Sequence, residues 1–268
     1  MTEFLAITVL SLLGGVIALA GGIIFLYVRS WSATLSNYSV PFAAGVLITV
    51  SLIGLLPEAI DAIGEGAFTV ALLAFFGSYL FEHVAFDLHH HEVCHHKTEC
   101  YQSAIWLVIV GDTIHNFVDG VTIAAAYMIS PGLAVITTIS TFLHEVPHEI
   151  GDFGILLKAG WERKNIILVN VFSALASVLG AWMVLFITDD EQVIGYLLAV
   201  AAGIFLYLGA GDFLPHADEE LSTKKTALAM FVGVFIMMIT INSIPHSHDH
   251  NDADSHEQEA VEQSYDNQ

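Results

Sequence analysis

Positive charge is almost missing from this sequence. Its 268 residues hold 7 Lys and Arg against 28 Asp and Glu, a formal net charge of −21. Phosphate backbones are bound through basic side chains, so a nucleic-acid partner is excluded. Charge of either sign is scarce as well. Charged residues make up 13% of the chain, against roughly 25% in a soluble domain. The 2 cysteines, Cys94 and Cys100, share one short stretch, which excludes a disulfide framework. No nucleotide-binding motif is present either.

What the chain has in abundance is apolar length. Hydrophobic residues reach 55%. Runs of roughly 20 apolar residues, enough for a hydrocarbon layer of about 30 Å, recur from end to end. We read eight: Phe4–Val28, Pro41–Ile60, Ala67–Leu88, Gln102–Met128, Pro131–Lys158, Asn165–Phe186, Gln192–His216 and Ala227–Ile244. The fold class expected is an all-α integral membrane protein of eight transmembrane helices, with the bilayer as its partner. The first run lacks a basic leader and a small-residue cleavage site, so it reads as a helix and not a signal peptide.

The few basic residues set the orientation. Arg29, Lys97, Lys158, Arg163, Lys164, Lys224 and Lys225 all fall in the first, third, fifth and seventh connections. The positive-inside rule makes those connections cytoplasmic and puts both termini outside. A multi-pass protein of the plasma membrane is expected. The opposite connections are acidic: Glu58, Asp61 and Glu65, then Asp189, Asp190 and Glu191. Such a surface concentrates cations.

Residues 1–244 read as one transmembrane domain. Within it, "DLHHHEVCHHKTEC" makes a cytoplasmic His/Cys-rich loop over residues 87–101. Its His89, His90, His91, Cys94, His95 and His96 suit exchangeable metal capture. Residues 245–268 form a His- and acid-rich tail, expected to be disordered and to buffer metal. An internal echo is also visible. "LIGLLPEA" ends the second run and "GAGDFLPHA" the seventh, in helices of opposite direction. With the fourth and fifth runs between them, this predicts a 3+2+3 inverted repeat.

The fourth run contains "HNFVDG" and the fifth "HEVPHEIGD". Residues four apart project from one face of a helix. His115 therefore pairs with Asp119, and His144 with His148, while Asn116 and Glu145 sit about 100° round. An acid at mid-membrane costs on the order of 3 kcal/mol. Asp112, Asp119, Glu145, Glu149 and Asp152 together would cost roughly ten kcal/mol or more facing lipid. No basic residue is available at this depth, so protons, water or metal cations must balance them. Imidazoles mixed with carboxylates suit zinc and also iron, manganese or cadmium. Pro147 leaves the Leu143 carbonyl without its helical donor, so a bend is expected beside His144.

In these two motifs the chain resembles the ZIP family of divalent metal transporters, in the branch reading HNFxDG and HExPHExGD. The resemblance extends over nearly the whole chain. It implies a binuclear site between the fourth and fifth helices. His115, Asp119, His144 and His148 would form the first position. Asn116 and Glu145 would serve the second, with Asn170 of the sixth helix placed to complete it. Asp112 and Glu149 are further candidate ligands. Glu82 and His83, with Asp212 and His216, are candidates for an exit path to the cytoplasm. The resemblance also implies import driven by the metal gradient, a moving bundle carrying the two central helices, and a homodimer. The metal is cargo; no cofactor is expected.

Two other readings compete. HEVPH matches the HExxH signature of zinc proteases, in which the Glu activates water. Pro147 disturbs that geometry, and the Asp motif precedes HExxH where intramembrane proteases place it afterwards. A cation efflux carrier shares His-x-x-x-Asp pairs, but six spans and a soluble C-terminal domain are expected of it. The chain reads as a transporter and not an enzyme.

Overall fold

The computed structural model describes residues 2–90, 97–215 and 223–245. The described residues form eight helical rods, the kind of element whose backbone bonds close within itself, as a hydrocarbon environment demands. They are α1 (Thr2–Tyr27), α2 (29–63), α3 (Gly66–His90), α4 (Lys97–Ile129), α5 (Pro131–Lys158), α6 (Arg163–Ile187), α7 (Glu191–Phe213) and α8 (Thr223–Ser243). By length and composition, α1, α2, α3, α6, α7 and α8 are apolar enough to cross a membrane. The two others, α4 and α5, carry the polar cluster.

Several boundaries differ from the sequence reading. The second helix begins near Arg29 rather than at Pro41, which lies inside it. Hydrophobicity marks where a helix enters lipid, not where its backbone bonds begin. For the same reason α3 continues to His90 and α4 starts at Lys97, so only residues 91–96 of the expected loop lie between helices. Those residues, with His216 and the tail from 246, are outside the described residues, as are the side chains of His89 and His90.

Four rods are interrupted. A 3-10 turn at Val16–Ala18 divides α1, and α6 is divided at Leu175. Wide π turns occupy Val50–Leu55 in α2 and Leu208–Phe213 in α7. Matching defects therefore occur in the first and sixth rods and in the second and seventh. The packing shares this relation. The pairs α4–α6 and α5–α1, α2–α8 and α7–α3, and α2–α5 and α7–α4 exchange when each of the first three rods is swapped with its counterpart among the last three and α4 with α5. This is the pattern that two three-helix repeats around a central pair produce.

Glycine lets backbones touch within two groups of rods. A Cβ at Gly120 would overlap the Ser177 carbonyl, and one at Gly180 the Phe117 carbonyl, so α4 and α6 interlock reciprocally. Gly21 of α1 receives Val146 of α5. In the other group, Gly45 meets Met230 while Gly233 meets Phe42, locking α2 to α8, and Gly203 abuts Ala71 of α3. The packed seams α2–α5 and α4–α7 have no such glycine among the described residues. They are filled by side chains such as Leu47, Leu133, Ala125 and Leu198.

Candidate metal centre

The centre is a hairpin of two long helices. α4 ends at Ile129 and α5 begins at Pro131, leaving Ser130 as the whole connection. Ser130 is extended, and its hydroxyl accepts from Leu133 N at 3.1 Å, capping α5. Pro131 then takes the first helical position, where no N–H is needed. So short a turn forces the helices side by side and antiparallel. Residues equally distant from Ser130 come level, which sets His115 opposite Glu145 and Asp112 opposite His148. α5 continues without a break through Pro147.

Four ligand atoms, from His115, Asp119, His144 and Glu145, lie within 4.8 Å of one another. His115 Nε2 is 2.9 Å from Glu145 Oε1 and 3.9 Å from Asp119 Oδ2; His144 Nε2 is 3.2 Å from Asp119 Oδ2. None of these atoms has a hydrogen-bond partner, although all are buried. The four atoms are close enough together to share one ion. Donors about 2.05 Å from zinc at tetrahedral corners stand roughly 3.3 Å apart, inside the observed range. The orientation of the His144 ring follows from its support. Its Nδ1 lies 2.8 Å from the Ser140 carbonyl, which can only accept, so Nδ1 donates and Nε2 presents its lone pair.

A second group lies one turn further from Ser130. His148 Nδ1 stands 3.6 Å from both Asp112 Oδ1 and Asp152 Oδ2. Asp112 also approaches Glu145 and Glu149 within metal-ligand range. The His115 and His148 rings stack with centroids 5.0 Å apart, linking the two groups. Asn116 donates through Nδ2 to Asp112 Oδ1 at 2.9 Å, and its buried Oδ1 has no hydrogen-bond partner. Asn170 is buried on α6, where its amide donates to the Ile166 carbonyl.

Three features were not anticipated from sequence. Asp152 joins His148, a pairing that its i+4 position in "HEIGD" could have signalled. Phe205 packs on the His144 ring and Phe213 on His148, so α7 forms an aromatic wall. No local motif announces that wall. Toward the Ser130 end, Glu58, Asp61, Asp189 and Glu191 border a half-open pocket of about 420 Å³. The acidic connections were legible singly; their convergence was not.

The residues considered for an exit path are less unified. Tyr207 donates to Glu82 Oε2 at 2.6 Å, joining α7 to α3. His83 is exposed and lies against Tyr79, ring centroids 3.9 Å apart. Asp212 sits within the π turn of α7, half-buried.

Comparison with known proteins supplies an independent line. A family model described as ZIP zinc transporter matches residues 88–241. The chain is 32% identical to zinc transporter foi of Drosophila melanogaster over 170 residues, 59% of this chain and 24% of that relative. It is 41% identical over 110 residues to zinc transporter ZIP4 of Mus musculus, covering 41% of this chain and 17% of that one. With zinc transporter ZIP6 of Homo sapiens the identity is 43% over 114 residues, covering 41% and 15%. The matched part is therefore a quarter or less of the length of these relatives.

Proposed function

The chain belongs to the ZIP zinc transporter family, and on that premise we propose that it imports divalent metal ions, zinc foremost, across the plasma membrane. One observation carries the reading. Four buried ligand atoms converge at the middle of the hairpin with no hydrogen-bond partners and no basic side chain to balance them. A hydrated ion loses its water shell only where oxygen and nitrogen donors replace it. His115, Asp119, His144 and Glu145 supply such a shell, with Asn116 and His148 beside it. Asn170, Asp112 and Glu149 belong to the same buried surroundings.

Zinc, iron, manganese and cadmium fit this mixed donor set. The acidic pocket at Glu58, Asp61, Asp189 and Glu191 serves as the collecting mouth. Eight spans with both termini outside follow from the placement of the basic residues. The His/Cys-rich segment at 87–101 and the tail from 245 act as capture and buffering segments. Glu82, His83 and Asp212, together with His216 outside the described residues, are proposed as donors for the ion on its way to the cytoplasm. A homodimer is the assembly proposed. The apolar window of α3 is only 6% buried within one chain, leaving that face for lipid or a second copy.

The protease alternative asks Glu145 to face a water molecule and a peptide. Instead its carboxylate is fully buried, 2.9 Å from His115. The test is uptake of radiolabelled zinc into oriented proteoliposomes, with competing metals, beside a casein cleavage assay. Zinc uptake without cleavage is expected; cleavage without uptake would reverse the assignment.

A further inference from the structure

We infer that Asp112, His148 and Asp152, with Glu149 beside them, form a separate inner station that takes the metal ion from the midplane cage on its way to the cytoplasm. The inference rests on the transport reading and adds a stop to the route. All four side chains come from α4 and α5. Asp112 and Asp152 are 2% and 8% exposed, and Glu149 is fully buried. Asp112 Oδ2, Asp152 Oδ2, His148 Nδ1 and both carboxylate oxygens of Glu149 have no hydrogen-bond partner. Carboxylates do not stay buried without protons or a counter-ion.

The geometry is that of donors around an ion. His148 Nδ1 is 3.6 Å from a carboxylate oxygen on each side. This is too long for a hydrogen bond and close to the roughly 3.4 Å edge of a tetrahedron about zinc. Asn116 fixes one oxygen of Asp112 through its amide, leaving the other oxygen open. On an antiparallel hairpin, Asp112 precedes His115 and Asp152 follows His148, so both displacements run away from Ser130. That direction leads toward Lys97 and Lys158, the cytoplasmic side by charge.

His148 is the link between the two positions. A neutral imidazole has one lone pair, so it ligates one ion at a time. Its ring stacks on His115, a ligand of the cage, while its Nδ1 faces the inner carboxylates. An ion leaving the cage meets the next donors without crossing a dry gap.

The experiment compares the full-length wild type with Asp112→Asn/Asp152→Asn, Asp152→His and His144→Ala. Zinc affinity is measured by equilibrium dialysis in detergent, and uptake in proteoliposomes, after size exclusion confirms folding. The double variant is expected to lose the inner zinc, binding fewer ions per chain, while its maximal uptake falls roughly tenfold or more. His144→Ala should lose affinity itself. Asp152→His keeps a ligand but a softer one, so zinc flux should rise relative to manganese flux. Unchanged maximal uptake in the double variant, or an unchanged metal ratio in Asp152→His, overturns the station. So does equal loss of affinity and rate in a folded double variant. A wild-type chain that moves no divalent metal would instead remove the transport reading.

Discussion

His115 Nε2 lies 2.9 Å from Glu145 Oε1 across the α4–α5 seam, yet the two atoms are not aligned as a hydrogen bond. On the transport reading, both atoms are candidate donors to an ion at this seam. Truncating either should therefore act on the ion. Glu145→Gln keeps the shape of the cage but removes one of its charges. Zinc affinity should drop roughly tenfold or more, measured by dialysis, with uptake altered in rate or metal preference. Wild-type affinity and selectivity in this variant would exclude Glu145 from the cage.

His148→Ala and His148→Glu separate charge from coordination. Alanine removes the donor that faces Asp112 and Asp152 and should depress uptake strongly. Glutamate restores a harder donor, so flux should return with manganese favoured over its wild-type share. Flux ratios for zinc and manganese in the two variants are the measurement. Equal, near-wild-type flux in both contradicts the assignment.

Acid should empty the cage. Only a neutral imidazole offers a lone pair to metal, and His115 and His144 each contribute one. Affinity should weaken as pH falls toward and below about 6, because protons compete for the same nitrogens. Zinc binding followed from pH 8 to pH 5 tests this, and a flat profile contradicts the histidine ligands.

Capture and transport should come apart. Deleting His89–His91 with His95 and His96, or truncating after Pro245, should reduce uptake at low external metal while sparing the midplane affinity. Dialysis on the double deletion reports directly. Loss of all metal binding would relocate the transport site.

The helix interlocks predict a stability contrast. At Gly120 any side chain meets the Ser177 backbone, so Gly120→Val should destabilise by about 1–3 kcal/mol or more. Gly111, on the same helix, has nothing within 4 Å of its would-be Cβ. Gly111→Ala should be neutral or slightly stabilising through helix propensity. Thermal unfolding in detergent compares them.

Much of this was legible in the chain. Helical spacing alone joined His115 to Asp119 and His144 to His148, and the insertion cost of unpaired acids placed them inside. Even the cross-helix register was written there, because Ser130 is midway between His115 and Glu145 and between Asp112 and His148. Periodicity assigns a face, however, and not a height; the level of His148 with Asp112 comes from the one-residue connection at Ser130. The π turns in α2 and α7 were illegible for another reason. VSLIGL and LGAGDF contain glycine but no proline, and their widened turns depend on tertiary packing. The aromatic wall of Phe205 and Phe213 resembles any apolar core residue until its neighbours are known.

The distribution of glycine contacts has a mechanical consequence. α4 and α6 are keyed together backbone to backbone, with α5 side chains seated on α1 glycines beside them, and α2, α3, α7 and α8 form a second glycine-keyed group. Between these bodies, among the described residues, only Gly132 of α5 meets the other body closely, against Pro245 just beyond α8. The remaining boundary among the described residues is packed through side chains. No helical backbone bond crosses it, so its packing rests on side chains alone. The one close glycine approach across this boundary, Gly132 against Pro245, lies at the Ser130 end of the hairpin, so the boundary is tight at one end and side-chain-lined along the rest.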